Sequence, residues 1–93
     1  MKIVFLEDTE PDIRWFRHYY RSVFPEGSAK AGAHLKAIQK TLAANPYAGH
    51  PGDTQENVRE LSVPRTPYTL IYRVMPTQIE ILRLWETRQG TEY

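Results

Sequence analysis

The segment Asn57–Gln89, NVRELSVPRTPYTLIYRVMPTQIEILRLWETRQ, constrains this chain more than any other part of it. Thr69–Met75 and Gln78–Trp85 are rich in Ile, Leu, Val, Tyr and Trp, side chains that suit a pleated surface. Pro76 and Thr77 lie between them, and proline has no N–H to give to a ladder, so the two runs read as a hairpin. A turn of two or four residues gives one register: Val74 opposite Ile79, Arg73 opposite Glu80, Tyr72 opposite Ile81, Ile71 opposite Leu82 and Leu70 opposite Arg83. One face then carries Val74, Ile79, Tyr72 and Ile81. The other carries Ile71, Leu82 and Leu84, with Arg73 and Glu80 near the turn. Apolar residues on both faces place the hairpin inside its sheet rather than at an edge.

The rest of the chain supplies what such a hairpin needs to be covered. Lys2–Glu7 is a short run that is apolar on both faces and reads as a buried strand, with Val4 packed against the helices. Asp8 or Thr9 is placed to cap a helix that tolerates Pro11 in its first turn, where Glu10 and Asp12 suit the helix dipole. Ile13, Phe16, Tyr20 and Phe24 form its inner stripe, and Arg14, Arg17 and Arg21 repeat on a solvent face. Pro25-Glu26-Gly27 breaks this helix and Ser28 can cap the next, which runs from Ala29 to Ala44 on an inner stripe of Ala31, Leu35, Ile38 and Leu42. His34 lies beside that stripe as a boundary residue. Asn45-Pro46 ends the helix, because the residue before proline is pushed out of the α region. Tyr47–Glu56 reads as a loop holding His50. Val58, Leu61 and Val63 mark a strand with Arg59 and Glu60 turned outward, and Pro64 and Pro67 bracket Arg65 and Thr66 in a kinked connection. The predicted order is strand, helix, helix, strand, strand, strand. It describes an α+β fold with an N-terminal strand, a helical hairpin and a three-stranded antiparallel meander in one sheet.

A chain of 93 residues with 41% hydrophobic and 25% charged residues is expected to form a single domain, residues 1–93, around one modest core. It has no cysteine, which excludes a disulfide scaffold and a thiolate metal site and fits a reducing compartment. Ile3–Leu6 is interrupted by Glu7 and Asp8, too soon for a membrane span or a signal peptide, so a cytoplasmic location with no membrane contact is expected. The net charge of +1 carries no message, but its distribution does. From Ile13 to Gly52 six basic residues face one acid, Glu26, and a basic helical region favours an acidic partner.

Enzyme signatures are missing: no phosphate-cradling glycine loop, no HExxH, no GxSxG, and no metal-ligand spacing among His18, His34 and His50. No cofactor or metal is expected. The residues that ask for explanation are the arginines on the strands and their ends: Arg59, Arg65, Arg73, Arg83 and Arg88. An arginine within a sheet is costly unless paired. Glu80 opposite Arg73 is an evident partner. Arg83 shares a face with Leu70, Tyr68 and Trp85, and either lies over an aromatic ring or pairs with a carboxylate. Arg65 and Arg88, at strand ends, suit phosphate or carboxylate capture. A structural ion pair is the simplest account of each taken singly; together they suggest a basic, aromatic-lined edge.

The element order, the stretch Asn45-Pro46-Tyr47-Ala48-Gly49-His50-Pro51, the run VREL-x-VPRTPY-x-LIYRV and the ending IEILRLWETRQ resemble the RelE/ParE superfamily of bacterial toxins. The resemblance covers nearly the whole chain and is strongest over Asn45–Gln89. It implies the toxin of a type II toxin–antitoxin pair, neutralised by a cognate protein antitoxin. One branch of the superfamily cleaves mRNA on the ribosome; the ParE branch poisons DNA gyrase without catalysis of its own. The nucleases generally carry lysines on the second strand, an arginine after the PY pair of the third, and basic or tyrosine residues near the C-terminus. Here the second strand offers Arg59 and Glu60, Thr69 follows Pro67-Tyr68, and Glu86 stands where a histidine commonly follows the last strand. Cleavage of RNA needs groups that stabilise a phosphorane and move protons. The resemblance therefore points to a ParE-like gyrase poison, with Arg59, Arg65, Arg73, Arg83, Trp85, Glu86 and Arg88 as candidates for target or antitoxin contact. The alternative is a ribosome-dependent mRNA endonuclease using Arg65, Arg83, Arg88 and Tyr93. A degenerate member that has lost toxicity is the third reading, prompted by Glu86.

Overall fold

The computed structural model describes residues 1–52 and 57–86. Its elements are β1 (Lys2–Phe5), α1 (Glu10–His18), α2 (Ser28–Ala44), β2 (His50–Pro51), β3 (Val58–Ser62), β4 (Tyr68–Val74) and β5 (Gln78–Glu86). The strands form one sheet in the order β1-β5-β4-β3-β2, with β1 parallel to β5 and all other pairs antiparallel. The hairpin β4–β5 thus has a neighbour on each side, as its two apolar faces require. The fold class is the one expected, with one strand more. His50 and Pro51, read as loop, pair with Glu60 and Arg59 at the sheet edge.

The β4–β5 turn follows the predicted register at its tip. Val74 faces Ile79, Arg73 faces Glu80, Tyr72 faces Ile81, and the Met75 N–H donates to the Gln78 carbonyl at 2.8 Å. Beyond that point the expectation fails. Ile71 faces Arg83 and Leu70 faces Leu84, so Leu82 is an extra residue in β5, a β-bulge. The bulge reverses the alternation of β5: Ile79 and Ile81 are buried before it, Leu84 and Glu86 after it. Leu84 therefore joins the core face instead of sharing a face with Ile71. Arg83 shares its face with Ile71, not Leu70.

The core lies between this face and the two helices. Phe16, Tyr20, Ala31, Ile38 and Leu42 pack with Val63, Tyr68, Leu70, Tyr72, Ile79, Ile81 and Leu84, flanked by half-buried Ile13, Leu35, Leu61 and Val74. Val4 was expected here. The parallel pairing puts Ile3 opposite Ile79 and Phe5 opposite Ile81, so Ile3 and Phe5 face the core and Val4 the other side with Glu80. On that other side Val58 and Ile71 are also buried.

The helix ends differ from the capping expected of them. A single tight turn, Glu7–Thr9, precedes α1, and the Thr9 hydroxyl donates to the Leu6 carbonyl rather than capping an α1 N–H. Beyond His18 the helix widens over Tyr19–Val23, where the Phe24 N–H reaches back five residues to the Tyr19 carbonyl at 2.8 Å. Pro25–Gly27 forms another short turn and Ser28 becomes the first residue of α2 rather than its cap.

Candidate partner-binding surfaces

Each described strand arginine is engaged by the fold. Arg73 reaches Glu80 through Nη2 at 2.6 Å and Nε at 3.2 Å, and the Gln78 amide donates to the other oxygen of Glu80 at 2.8 Å. These hydrogen bonds, that from Arg73 foremost, hold the Glu80 carboxyl below its ordinary pKa. Arg83 forms a two-point contact with Asp12, Nε at 2.6 Å and Nη2 at 2.9 Å, and its guanidinium lies 4.9 Å over the Trp85 ring. The sequence left a ring or a carboxylate open for Arg83; it has both. The hydrogen bond to Asp12 raises the pKa of Arg83 further. Arg59, expected to point outward, instead turns back over the loop before β2. Its Nε donates to the Gly49 carbonyl at 3.1 Å, its Nη2 to the Tyr47 carbonyl at 3.3 Å, and it lies over the Tyr47 ring. Because Arg59 pairs with Tyr72, it stands on the helix side of the sheet.

That loop is fixed from below as well. The Tyr72 hydroxyl donates to the Pro46 carbonyl and accepts the Gly49 N–H, each at 2.9 Å. A Cβ on Gly49 would stand 2.7 Å from the Tyr72 hydroxyl oxygen, so the position has room only for glycine. The NPYAG stretch is thus clamped by Tyr72 and Arg59.

Asp12 was expected only to suit the helix dipole. It accepts a third hydrogen bond, from the Leu84 N–H at 3.0 Å. The β1 ladder ends at Phe5 and Ile81, with Leu6 adding one bond to the Ile81 carbonyl. Asp12 then takes over the edge of β5 that β1 leaves open. Three residues along α1, the Trp15 indole N–H donates to the buried Glu86 carboxylate at 2.7 Å. Nothing in the sequence near Asp12 or Trp15 points to partners some seventy positions away; only the pattern of unexplained charges on β5 hints at them. Glu86 is therefore a tethered acid at the end of the last strand. Arg88 and Tyr93 lie outside the described residues.

Two features remain open. The first is a groove of about 760 Å³ between β1, α1 and α2. Phe5, Ile13, Phe16, Tyr20 and Leu35 give it apolar walls, and Arg17 and Arg21 stand on its rim. Neither arginine forms an ion pair among the described residues, whereas Arg14 pairs with Glu10 on the surface. Gly32 also lines the groove, and outside its own helix no atom lies within 4 Å of where a Cβ would stand. The second is Arg65, exposed at the β3–β4 turn with a φ of 61°.

The family model described as "ParE toxin of type II toxin-antitoxin system, parDE" matches residues 3–90. The chain belongs to the ParE toxin family. Among solved structures it is similar to a chain from the chromosomal ParDE toxin–antitoxin system of P. aeruginosa, at 29% identity and a TM-score of 0.71, covering 92% of this chain and 95% of that one. No curated protein matches. Among the described residues no helix of this ParE toxin is long and apolar enough to cross a membrane.

Proposed function

We propose that this ParE-family toxin acts in the cytoplasm by inhibiting DNA gyrase and is neutralised by a cognate antitoxin. The observation that carries the choice of target is the state of the cations on the sheet face away from the helices. Arg73 and Arg83 stand on that face by their pairing with Val58 and Ile71, and each is held by a carboxylate. Thr69 and Glu60 share the face, and Thr69 is buried. General acid–base cleavage of RNA needs free, movable donors against a phosphate. Guanidiniums already neutralised by Asp12 and Glu80 are poor ones, which favours recognition over catalysis.

The groove supports the antitoxin half of the reading. Its apolar walls suit the apolar stripe of an amphipathic helix, and its two rim arginines, which form no ion pair among the described residues, suit acidic residues flanking that stripe. Gly32 leaves room for the incoming backbone. The test uses purified components: gyrase supercoiling in one reaction, ribosome-bound mRNA in the other, each with and without the adjacent gene's product. Inhibited supercoiling, relieved by that product, is the expected result. Codon-positioned cleavage with intact supercoiling overturns it and moves Arg65, Arg83, Arg88 and Tyr93 into a catalytic role.

A further inference from the structure

The connection between β3 and β4 is a turn through Val63-Pro64-Arg65-Thr66, closed by the Thr66 N–H on the Val63 carbonyl at 3.2 Å. With proline at its second position and a φ of 61° at its third, it follows the type II pattern, whose third position suits glycine or asparagine. Among the described residues the other non-glycine residue with positive φ is Asn57, which tolerates that region. Arg65 does not belong to that tolerant group. Its backbone is held there by its surroundings. The Val63 N–H donates to the Tyr68 carbonyl at 2.9 Å, the Thr66 hydroxyl donates to the Val63 carbonyl at 3.0 Å, and the same hydroxyl accepts the Tyr68 N–H at 3.1 Å. Among the described residues nothing uses the side chain in return. It is exposed and makes no hydrogen bond or ion pair among the described residues. Glycine would suit the turn better, so the arginine is explained by something outside the fold.

We infer that Arg65 is a target-contact residue, held out by a strained turn to pair with a carboxylate on the target protein. The inference rests on the gyrase reading above. A carboxylate fits better than a nucleic-acid backbone. Affinity for phosphates accumulates over many cations, whereas Pro64, Thr66 and Pro67 beside Arg65 bring none. A lone planar fork matches a single carboxylate in two-point geometry. No residue of this turn lines the apolar groove, so target contact and antitoxin binding are separable.

The test compares Arg65→Gly, Arg65→Ala and Arg65→Lys in the purified toxin. Arg65→Gly relieves the backbone and raises the thermal midpoint; Arg65→Ala and Arg65→Lys leave it near that of the parent. Glycine and alanine variants are expected to inhibit supercoiling roughly tenfold less or weaker still, and lysine to recover part of that loss. All three keep their affinity for the adjacent antitoxin. Full inhibition by Arg65→Gly overturns the inference while leaving the gyrase reading standing. Parent toxin that leaves supercoiling intact overturns both. A binding loss seen only when DNA is present assigns Arg65 to phosphate and overturns the carboxylate partner.

Discussion

The two ends of the β4–β5 hairpin each carry an arginine–carboxylate pair, and the pairs differ in kind. Near the turn, Arg73 and Glu80 face each other across adjacent strands, seven positions apart in sequence. Past the bulge, Arg83 meets Asp12 from α1, 71 positions away, and Asp12 also accepts the Leu84 N–H. The first pair decorates a ladder that backbone hydrogen bonds already hold. The second replaces a ladder where β1 has run out, so a helix side chain completes the sheet edge. An ion pair that satisfies a backbone N–H is part of the fold; one that satisfies only side chains is nearly optional.

The strongest test of this division lies between the two ends. Ile81 is fully buried, belongs to the last regular pair before the bulge, and packs with Phe5 opposite it in β1. Ile81→Ala is expected to cost about 2–5 kcal/mol, read from the denaturant midpoint at unchanged slope. A loss well below that range means the core at the bulge is looser than its burial indicates. Next comes the far pair. Asp12→Ala strands the Arg83 guanidinium and frees the Leu84 N–H, at a cost of roughly 2–3 kcal/mol, and amide exchange at Leu84 should quicken with it. Unchanged exchange there refutes the claim that Asp12 completes the edge. Trp15→Phe keeps the ring and removes only the indole N–H to Glu86. About 1 kcal/mol is expected, with fluorescence of the remaining Trp85 unshifted.

Legibility in the sequence follows the same line. Alternation and turn chemistry are local, so the hairpin tip, the Arg73–Glu80 pair and the helical stripes through Phe16, Tyr20, Ile38 and Leu42 were readable; Phe24, expected to end the first stripe, lies past the widened turn and is exposed. A bulge is one extra residue with no composition of its own, and Leu82 looks like any strand residue; every position beyond it was therefore assigned to the wrong face. Val4 was misplaced for a related reason. In a run apolar on both sides, only the partner strand decides which side is inner. Of the candidate contact residues, the arginines were found by type, but the sequence hides whether a charge is already spent. Asp12 and Trp15 had ordinary helical explanations, and the strain at Arg65 is a backbone property with no residue signature beyond the neighbouring prolines.

The smallest effect belongs to the near pair, and pH is its cleanest probe. Arg73 holds the Glu80 carboxyl below its ordinary pKa, so the folded state binds that proton less readily than the unfolded chain does. Whatever stability the pair provides is present in full above the unfolded carboxylate's pKa. It disappears as the pH falls through the lower, folded value. Glu80→Gln should therefore differ from the parent at neutral pH and converge with it only once the pH has fallen below the lowered, folded value, where the parent's carboxyl is protonated in either state. High salt should shrink the neutral-pH difference, since Arg73 stands partly in solvent. The Asp12→Ala loss should resist the same salt better, because one of the three hydrogen bonds it removes comes from a backbone N–H. Measuring both variants in one salt series separates the two pairs directly. Equal salt sensitivity would mean that Asp12 acts as a charge alone, and the contrast between the two ends of the hairpin would be lost.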